Sequence, residues 1–261
     1  MIIDSLVHIT PNGKWFDTDY DASESKLLHD LDKEKVERAV LVGLAGYISN
    51  EFILDVCKRN KGRLIPGASF NPSQYTNATV AVRQFRTEVL NKGFEVLKLH
   101  PRFNKFDPLS PVCCAILSEI SDWEKPLPVW LDSFLYSKDF NLQKPLIDTI
   151  HYLVTTFNKI NFVILHGAGS YILPLMESLR DCPNAFIDVS YTMCKYIGSS
   201  VTSDMAYLFN RFDRKIIYGS DFPEISIRES LSTFTTVTQK LDSNKKSNIL
   251  GINLSNILYG K

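Results

Sequence analysis

Short apolar runs alternate with longer segments of helical spacing along almost the whole chain. Several runs are nearly continuous, as expected for parallel strands that are buried on both faces. The predicted strands are Ile2–Ile9, Ala39–Leu44, Leu64–Phe70, Glu95–Leu99, Pro128–Asp132, Phe162–Leu165, Ala185–Val189 and Lys215–Tyr218. The predicted helices between them include Glu51–Asn60, Ala78–Asn91, Pro111–Trp123, Pro145–Lys159, Ile172–Arg180 and Ser203–Phe212.

Eight β and α units in succession predict parallel strands that are joined by right-handed crossovers. A doubly wound open sheet also alternates in this way, but eight units in 261 residues is the count of a closed barrel. No linker-like tract, internal repeat or low-complexity segment divides the chain. We therefore predict the α/β class, with a single (β/α)8 TIM barrel as one domain over residues 1–261.

Composition and charge limit the classes of molecule that this protein is expected to bind. Hydrophobic residues make up 44% of the chain and charged residues 22%, and the formal net charge is zero. We therefore expect a small-molecule substrate and neither nucleic acid nor a membrane as a partner, and a homo-oligomer stays open. No run approaches about 18 apolar residues, and the N-terminus lacks the features of a signal peptide, so we predict a cytoplasmic protein. The five cysteines show no Cys-x-x-Cys spacing, which favours free, buried thiols.

In such a barrel the chemistry lies at the C-terminal ends of the strands, and polar residues are concentrated at several of these ends. Each one alone has a structural explanation, such as a helix cap or a satisfied polar group. Together, three of the five histidines, two aspartates and two bases are harder to explain structurally. These candidates are His8, Lys98, His100, Arg102, Asp132, His166 and Asp221. The other histidines, His29 and His151, lie in helical patterns and are interpreted as structural.

Three candidate residues that can carry positive charge lie on the fourth predicted strand and in the segment after it. Alternation with period two places Lys98, His100 and Arg102 on one face, where they would present donors to an anionic group. We therefore predict substrate binding by these three residues and a substrate that carries a carboxylate or phosphate.

An aromatic group follows the fifth strand. Trp130, Phe134 and Tyr136 are compatible with the lining of an aromatic pocket and equally with packing in a core or an interface.

The first strand is unusual because alternation gives Asp4, Leu6 and His8 one common face, with an apolar residue between two polar ones. Together with the other strand ends, this strand resembles the amidohydrolase superfamily, in the amidohydrolase-related branch that includes aminocarboxymuconate semialdehyde decarboxylase. The resemblance runs through Ile2-Ile3-Asp4, Lys98-Leu99-His100-Pro101-Arg102, His166-Gly167, Gly219-Ser220-Asp221-Phe222-Pro223 and Ile249-Leu250-Gly251-Ile252-Asn253. Gly-Ser-Asp-Phe-Pro is its most specific motif.

The resemblance implies a divalent metal, zinc or manganese, held by His8, Asp132 and Asp221. Asp221 would also handle the proton, and His166 would polarise the substrate. Two positions depart from the family. Its first strand carries Asp-x-His-x-His, where Leu6 replaces the first histidine, and Asp132 replaces the metal-binding histidine of the fifth strand.

The implied activity is that of a metal-dependent hydrolase, or in second place a decarboxylase, acting on a small anionic molecule. Asp221 and His166 are the predicted catalytic residues. Two alternatives remain at this point: a metal-independent, lactonase-like hydrolase, and an inactive barrel that is retained as a ligand-binding or interaction protein.

Overall fold

A computed structural model describes residues 1–134, 140 and 142–260. Eight parallel strands form one sheet in the order of the chain. They are β1 (Ile3–Val7), β2 (Arg38–Val42), β3 (Leu64–Ser69), β4 (Val96–Leu99), β5 (Val129–Asp132), β6 (Phe162–Leu165), β7 (Ala185–Asp188) and β8 (Ile216–Ile217). The predicted (β/α)8 barrel is confirmed.

The sheet closes because β1 also pairs with the segment that follows β8. Ser5 N donates to Tyr218 O at 3.1 Å, Asp221 N donates to Leu6 O at 3.0 Å, and His8 N donates to Phe222 O at 2.7 Å. These bonds place the end of the first strand beside the Gly-Ser-Asp-Phe-Pro segment.

Helices connect the strands and cover the barrel. In chain order they are α1 (Glu24–Lys33), α2 (Asn50–Arg59), α3 (Ala78–Glu88), α4 (Pro101–Asn104), α5 (Pro111–Asp122), α6 (Leu146–Thr156), α7 (Ile172–Leu179), α8 (Thr192–Lys195), α9 (Ser200–Arg211), α10 (Ile227–Val237), α11 (Ser243–Ser247) and α12 (Asn253–Tyr259). Serine or asparagine side chains cap several first turns, as Ser110 does for α5 and Ser226 for α10.

Most predicted elements are present with ends shifted by a few residues. The helix predicted from Ser203 begins at Ser200, because Ser199 accepts a hydrogen bond from Val201 N and caps it there. The first strand ends at Val7, one residue before His8. His29 and His151 lie in α1 and α6 as predicted, and all five cysteines are free.

Aliphatic side chains fill the barrel below its mouth. The fully buried Leu6 belongs to this cluster, together with Val96 of β4 and Val163 of β6. Trp130 lies there too and donates from Nε1 to Ser5 O at 2.9 Å, so it is a core residue. Phe134 lies at the mouth, and Tyr136 lies outside the described residues. The barrel interior is therefore a packed core below the mouth at its C-terminal end.

Within the part of the chain that the structure describes, no helix combines the length and the apolarity needed to cross a membrane.

Candidate active site

A cavity of about 520 Å³ opens at the C-terminal ends of the strands. All seven residues that the sequence predicts for the site line it: His8, Lys98, His100, Arg102, Asp132, His166 and Asp221. Aromatic side chains, including Trp15, Phe103 and Phe134, form much of the remaining wall. The cavity thus combines charged groups with apolar rings, as small-molecule sites do.

The first group of charged residues joins β1, β4 and the segment after β8. Lys98 Nζ lies 3.0 Å from His8 Nε2, and His8 Nε2 lies 3.8 Å from Asp221 Oδ1. His8 Nδ1 lies 2.9 Å from Val42 O, and a carbonyl oxygen only accepts, so Nδ1 carries the proton. Nε2 is then an acceptor, and Lys98 donates to it.

Burial governs protonation in this group. It lowers the pKa of His8 well below its usual value, with a further contribution from the charge of Lys98, so the imidazole is neutral. It also lowers the pKa of Lys98, against the opposing charges of Asp221 and Asp132. Burial raises the pKa of Asp221 to about 6, although His166 and Lys98 act in the opposite direction. Asp221 therefore exchanges a proton close to neutral pH, as a general base must.

The second group joins the ends of β4, β5 and β6 around a carboxylate. Asp132 is fully buried, and its Oδ2 lies 3.3 Å from His166 Nε2 and 3.5 Å from His100 Nε2. Neither oxygen of Asp132 has a well-directed hydrogen bond from any described group, and His100 Nδ1 also has none. Buried polar atoms without partners are costly, and here they face a cavity that a polar ligand can enter.

The second group differs from the first in which residues carry a charge. Burial by itself opposes ionisation of Asp132, but His100, His166 and Lys98 hold its pKa below the usual value. Burial likewise disfavours the charged form of His166, yet Asp132 and Asp221 raise its pKa above the usual value. Burial lowers the pKa of His100 to about 3. The group is therefore an ion pair between Asp132 and His166 with a neutral His100 beside it.

His166 is held in place by β7 and by an aromatic ring. Its backbone N donates to Asp188 Oδ1 at 3.2 Å, and its Nδ1 lies 3.2 Å from Ser190 O. The ring of Phe134 stacks on the imidazole with centroids 4.9 Å apart. His166 has a φ of 62° and begins the turn through Gly167. The imidazole therefore points to Asp132 rather than along the strand.

Arg102 reaches the same cavity from a helix rather than a strand. β4 ends at Leu99, His100 precedes α4, and Arg102 lies within α4. Strand alternation therefore does not explain its position, although the residue does line the cavity. The Arg102 side chain is exposed, and its guanidinium lies 5.8 Å from the centre of the Phe134 ring.

Comparison with known proteins gives the family. The amidohydrolase family model matches residues 3–253, nearly the whole chain. The chain belongs to the amidohydrolase family. Among curated protein sequences, none matches this amidohydrolase significantly.

Solved structures confirm the fold of the amidohydrolase at low sequence identity. An uncharacterised TIM-barrel protein from Bordetella bronchiseptica is 16% identical, with a TM-score of 0.80 over 99% of this chain and 98% of that one. A probable 2-pyrone-4,6-dicarboxylic acid hydrolase from Acinetobacter baumannii, with citric acid bound, is 18% identical, with a TM-score of 0.69 over 98% of both chains. A 5-carboxyvanillate decarboxylase from Novosphingobium aromaticivorans, complexed with manganese and a nitrobenzoic acid, is 9% identical, with a TM-score of 0.70 over 99% of this chain and 96% of that one.

Sequence reasoning missed several residues of the amidohydrolase site. Trp15 stacks on His8 with ring centroids 5.3 Å apart and donates from Nε1 to Glu224 Oε1 at 2.9 Å. Glu224 and Tyr191 line the cavity. Glu224 follows Asp221 by three residues, and Asp188 is the last residue of β7. A survey of every polar residue at or just after a strand end would have identified Glu224 and Asp188. Trp15 lies in a loop, where no periodicity indicates its direction.

The donor set does not fit a divalent metal as it is arranged. His8 and Asp221 lie in the first group with Lys98, whereas Asp132 pairs with the imidazoles of the second group. The lone pair of His8 that a metal would need already accepts a hydrogen bond from Lys98. Among the described residues, no three His, Cys, Asp or Glu side chains are placed to hold a metal ion. The 5-carboxyvanillate decarboxylase structure above, in contrast, is complexed with manganese.

Proposed function

We propose that this amidohydrolase is a hydrolase that cleaves an ester or lactone bond in a small anionic molecule. The observation that carries the proposal is the pair of His–Asp groups in one cavity, with a raised pKa at Asp221 and a protonated His166. Asp221 can accept a proton near neutral pH while His166, whose pKa is also raised, remains a charged donor, so the two groups can perform separate tasks.

The reaction follows from these protonation states. Asp221 takes a proton from water as the water oxygen bonds to the carbonyl carbon of the substrate. His166 stabilises the resulting oxyanion by a charge-assisted hydrogen bond. Asp221 then returns the proton to the leaving oxygen as the carbon–oxygen bond breaks, which leaves a carboxylic acid and an alcohol. No step passes through a metal ion.

The anionic character of the substrate is supported by charge. Lys98 and Arg102 present cationic donors to the cavity, and His100 adds an unpaired ring nitrogen. Two structural neighbours, a probable 2-pyrone-4,6-dicarboxylic acid hydrolase with citric acid bound and a 5-carboxyvanillate decarboxylase, are also named for acids. An acid that carries a carboxylate beside its ester or lactone would bind its carboxylate at Arg102 and its reacting carbonyl at His166.

Decarboxylation is the second candidate, favoured by the protonated His166 stacked on Phe134. A carboxylate held against an aromatic wall is poorly solvated, and a nearby imidazolium can protonate the carbon that loses carbon dioxide.

A panel of anionic lactones, aryl esters and carboxylated phenols separates these functions. Ring opening or ester cleavage that is reduced by about 10²-fold or more in Asp221→Asn supports the hydrolase. Asp122→Asn is the matched control, since Asp122 is an exposed carboxylate at the end of α5. Release of carbon dioxide identifies a decarboxylase instead. Saturable binding without turnover of any compound favours the non-catalytic alternative.

A further inference from the structure

The most unusual feature of the cavity is a lysine ammonium buried against a histidine. The Lys98 side chain comes from β4 and is only 3% exposed. Its Nζ lies 3.0 Å from His8 Nε2, whose distance to Asp221 Oδ1 is 3.8 Å. His8 and Asp221 are two of the three residues predicted to hold a metal. A cation of this chain therefore already contacts His8, and its charge acts on Asp221.

The ammonium and a metal ion compete for one lone pair. His8 Nδ1 is protonated because it donates to Val42 O at 2.9 Å, so Nε2 carries the only free lone pair of the ring. Lys98 uses that lone pair. A zinc ion bound to His8 at about 2.0–2.1 Å would have to displace the ammonium and stand against its charge.

The neighbouring position on β1 offers no ligand that could compensate. Leu6 is fully buried among aliphatic side chains of the barrel interior, including Val42 and Val96. Next to an aliphatic side chain, a strongly hydrated divalent ion loses more hydration free energy than a singly charged group that forms hydrogen bonds. The surroundings of Leu6 therefore favour an ammonium over a divalent ion. The lack of a ligand at Leu6 and the presence of Lys98 therefore both disfavour a divalent ion at this position.

We propose that the Lys98 ammonium takes the place of a divalent ion in this amidohydrolase and serves as the fixed cation of the barrel mouth. One of its three N–H donors goes to His8, which leaves two for oxygens of the substrate. Lys98 is then a catalytic residue, and this part of the inference rests on the proposed function.

An ammonium in place of a divalent ion limits the class of substrate that the site can hydrolyse. A bound divalent ion lowers the pKa of its water to about 7 and supplies hydroxide, whereas an ammonium only orients and stabilises charge. Without that activation the carbonyl itself must be reactive. Lactones and esters with good leaving groups fit this requirement, and unactivated amides do not.

Zinc binding by four proteins tests the proposal without any assay of activity. They are the wild type, Leu6→His, Lys98→Met and the double variant Leu6→His/Lys98→Met. Methionine has a similar length to lysine and no charge, so it vacates the position with little loss of packing. Zinc per chain is measured after dialysis against zinc and then against a calibrated chelator, and thermal unfolding checks that each variant is folded. Lys98→Gln replaces Lys98→Met if the latter does not fold.

We expect less than about 0.1 zinc per chain in the wild type and in Leu6→His, because Lys98 still occupies the position. The double variant should hold close to one zinc per chain, with an affinity at least about tenfold higher than that of Leu6→His. Equal zinc binding by Leu6→His and the double variant would overturn the proposal, because Lys98 would then exclude nothing. So would a wild type that retains one zinc per chain, or a double variant that binds no more than the wild type. A failure of the lactone and ester panel alone would leave this result intact and would count against the proposed function only.

Discussion

Two His–Asp groups share the barrel mouth of this amidohydrolase, and they differ in which partner carries the charge. In the group at β1 and β8, burial raises the pKa of Asp221 to about 6 and keeps His8 neutral beside the Lys98 ammonium. In the group at β5 and β6, Asp132 stays ionised and His166 is protonated. Both aspartates are close to imidazoles, so residue type does not explain the difference. The difference arises because burial outweighs the charges of His166 and Lys98 at Asp221, whereas His100 adds a second imidazole beside Asp132.

Replacing the buried anion of the second group should have the largest effect. Asp132→Asn leaves the His166 imidazolium buried without its hydrogen-bonded counter-charge, which is expected to lower the free energy of unfolding by about 3–5 kcal/mol. The pKa of Asp132 is below its usual 3.8 in the folded protein, so its contribution is present above that pH and is lost as the pH falls through the folded pKa. Urea unfolding of both proteins from pH 3 to pH 7 measures this.

The gap in stability between wild type and Asp132→Asn should therefore be widest between about pH 4 and the usual histidine pKa of 6.5, narrow as the pH falls below about 4, and shrink as the pH rises through the raised pKa of His166. A gap that is independent of pH would mean that packing, and not charge, is what Asp132 supplies.

The same chemical change in the first group should affect rate rather than stability. Asp221→Asn removes the base, so kcat/KM for the substrate found in the panel should fall by about 10²–10⁴-fold. The raised pKa of Asp221 means that burial penalises its charged form, so the free energy of unfolding at pH 8 should be no lower than in the wild type. A loss of stability equal to that of Asp132→Asn would show that the two groups do not differ as described.

The pH profile of kcat/KM should report the first group on its acid side. Because the free enzyme needs ionised Asp221, the rate should rise with pH to a plateau, with a midpoint near the Asp221 pKa of about 6. Lys98 is one of the charges that lower this pKa. Its removal in Lys98→Met should therefore move the acid limb to higher pH in whatever activity remains. An acid limb at the same pH in both proteins would show that the charge of Lys98 does not lower the pKa of Asp221.

Arg102 should have the smallest effect of these changes because it is exposed. Arg102→Ala removes a charged donor to the anionic group, and the affinity for a carboxylate ligand should fall about tenfold, or about 1.4 kcal/mol. Arg83→Ala is the matched control, since Arg83 is an exposed arginine on α3, outside this cavity. Calorimetric titration with the best ligand of the panel measures both. Unchanged affinity in Arg102→Ala would place the anionic group elsewhere in the cavity.

The pattern of apolar and polar residues was enough to predict the architecture and the charged residues of the site, although not Trp15, Tyr191 or Glu224. Apolar runs that are buried on both faces specify parallel strands, and eight of them with helices between specify the barrel. Polar residues at strand ends then share one mouth, because all parallel strands point the same way. For this reason His8, Asp132, His166 and Asp221, which are far apart in the chain, could be assigned to one cavity before any contact was known.

How those residues pair could be seen only in the folded protein. Strand periodicity fixes the face and level of a side chain but says nothing about its partner across the barrel, which depends on closure and on side-chain reach. Lys98 contacts His8 over 90 positions of sequence, and Asp132 turns to His166 rather than joining His8 and Asp221. Protonation follows from those contacts and from burial, because the free energy of a charge depends on the groups that surround it. The same seven residues could have been arranged as a metal centre, and their packing produced two hydrogen-bonded and ion-paired groups instead.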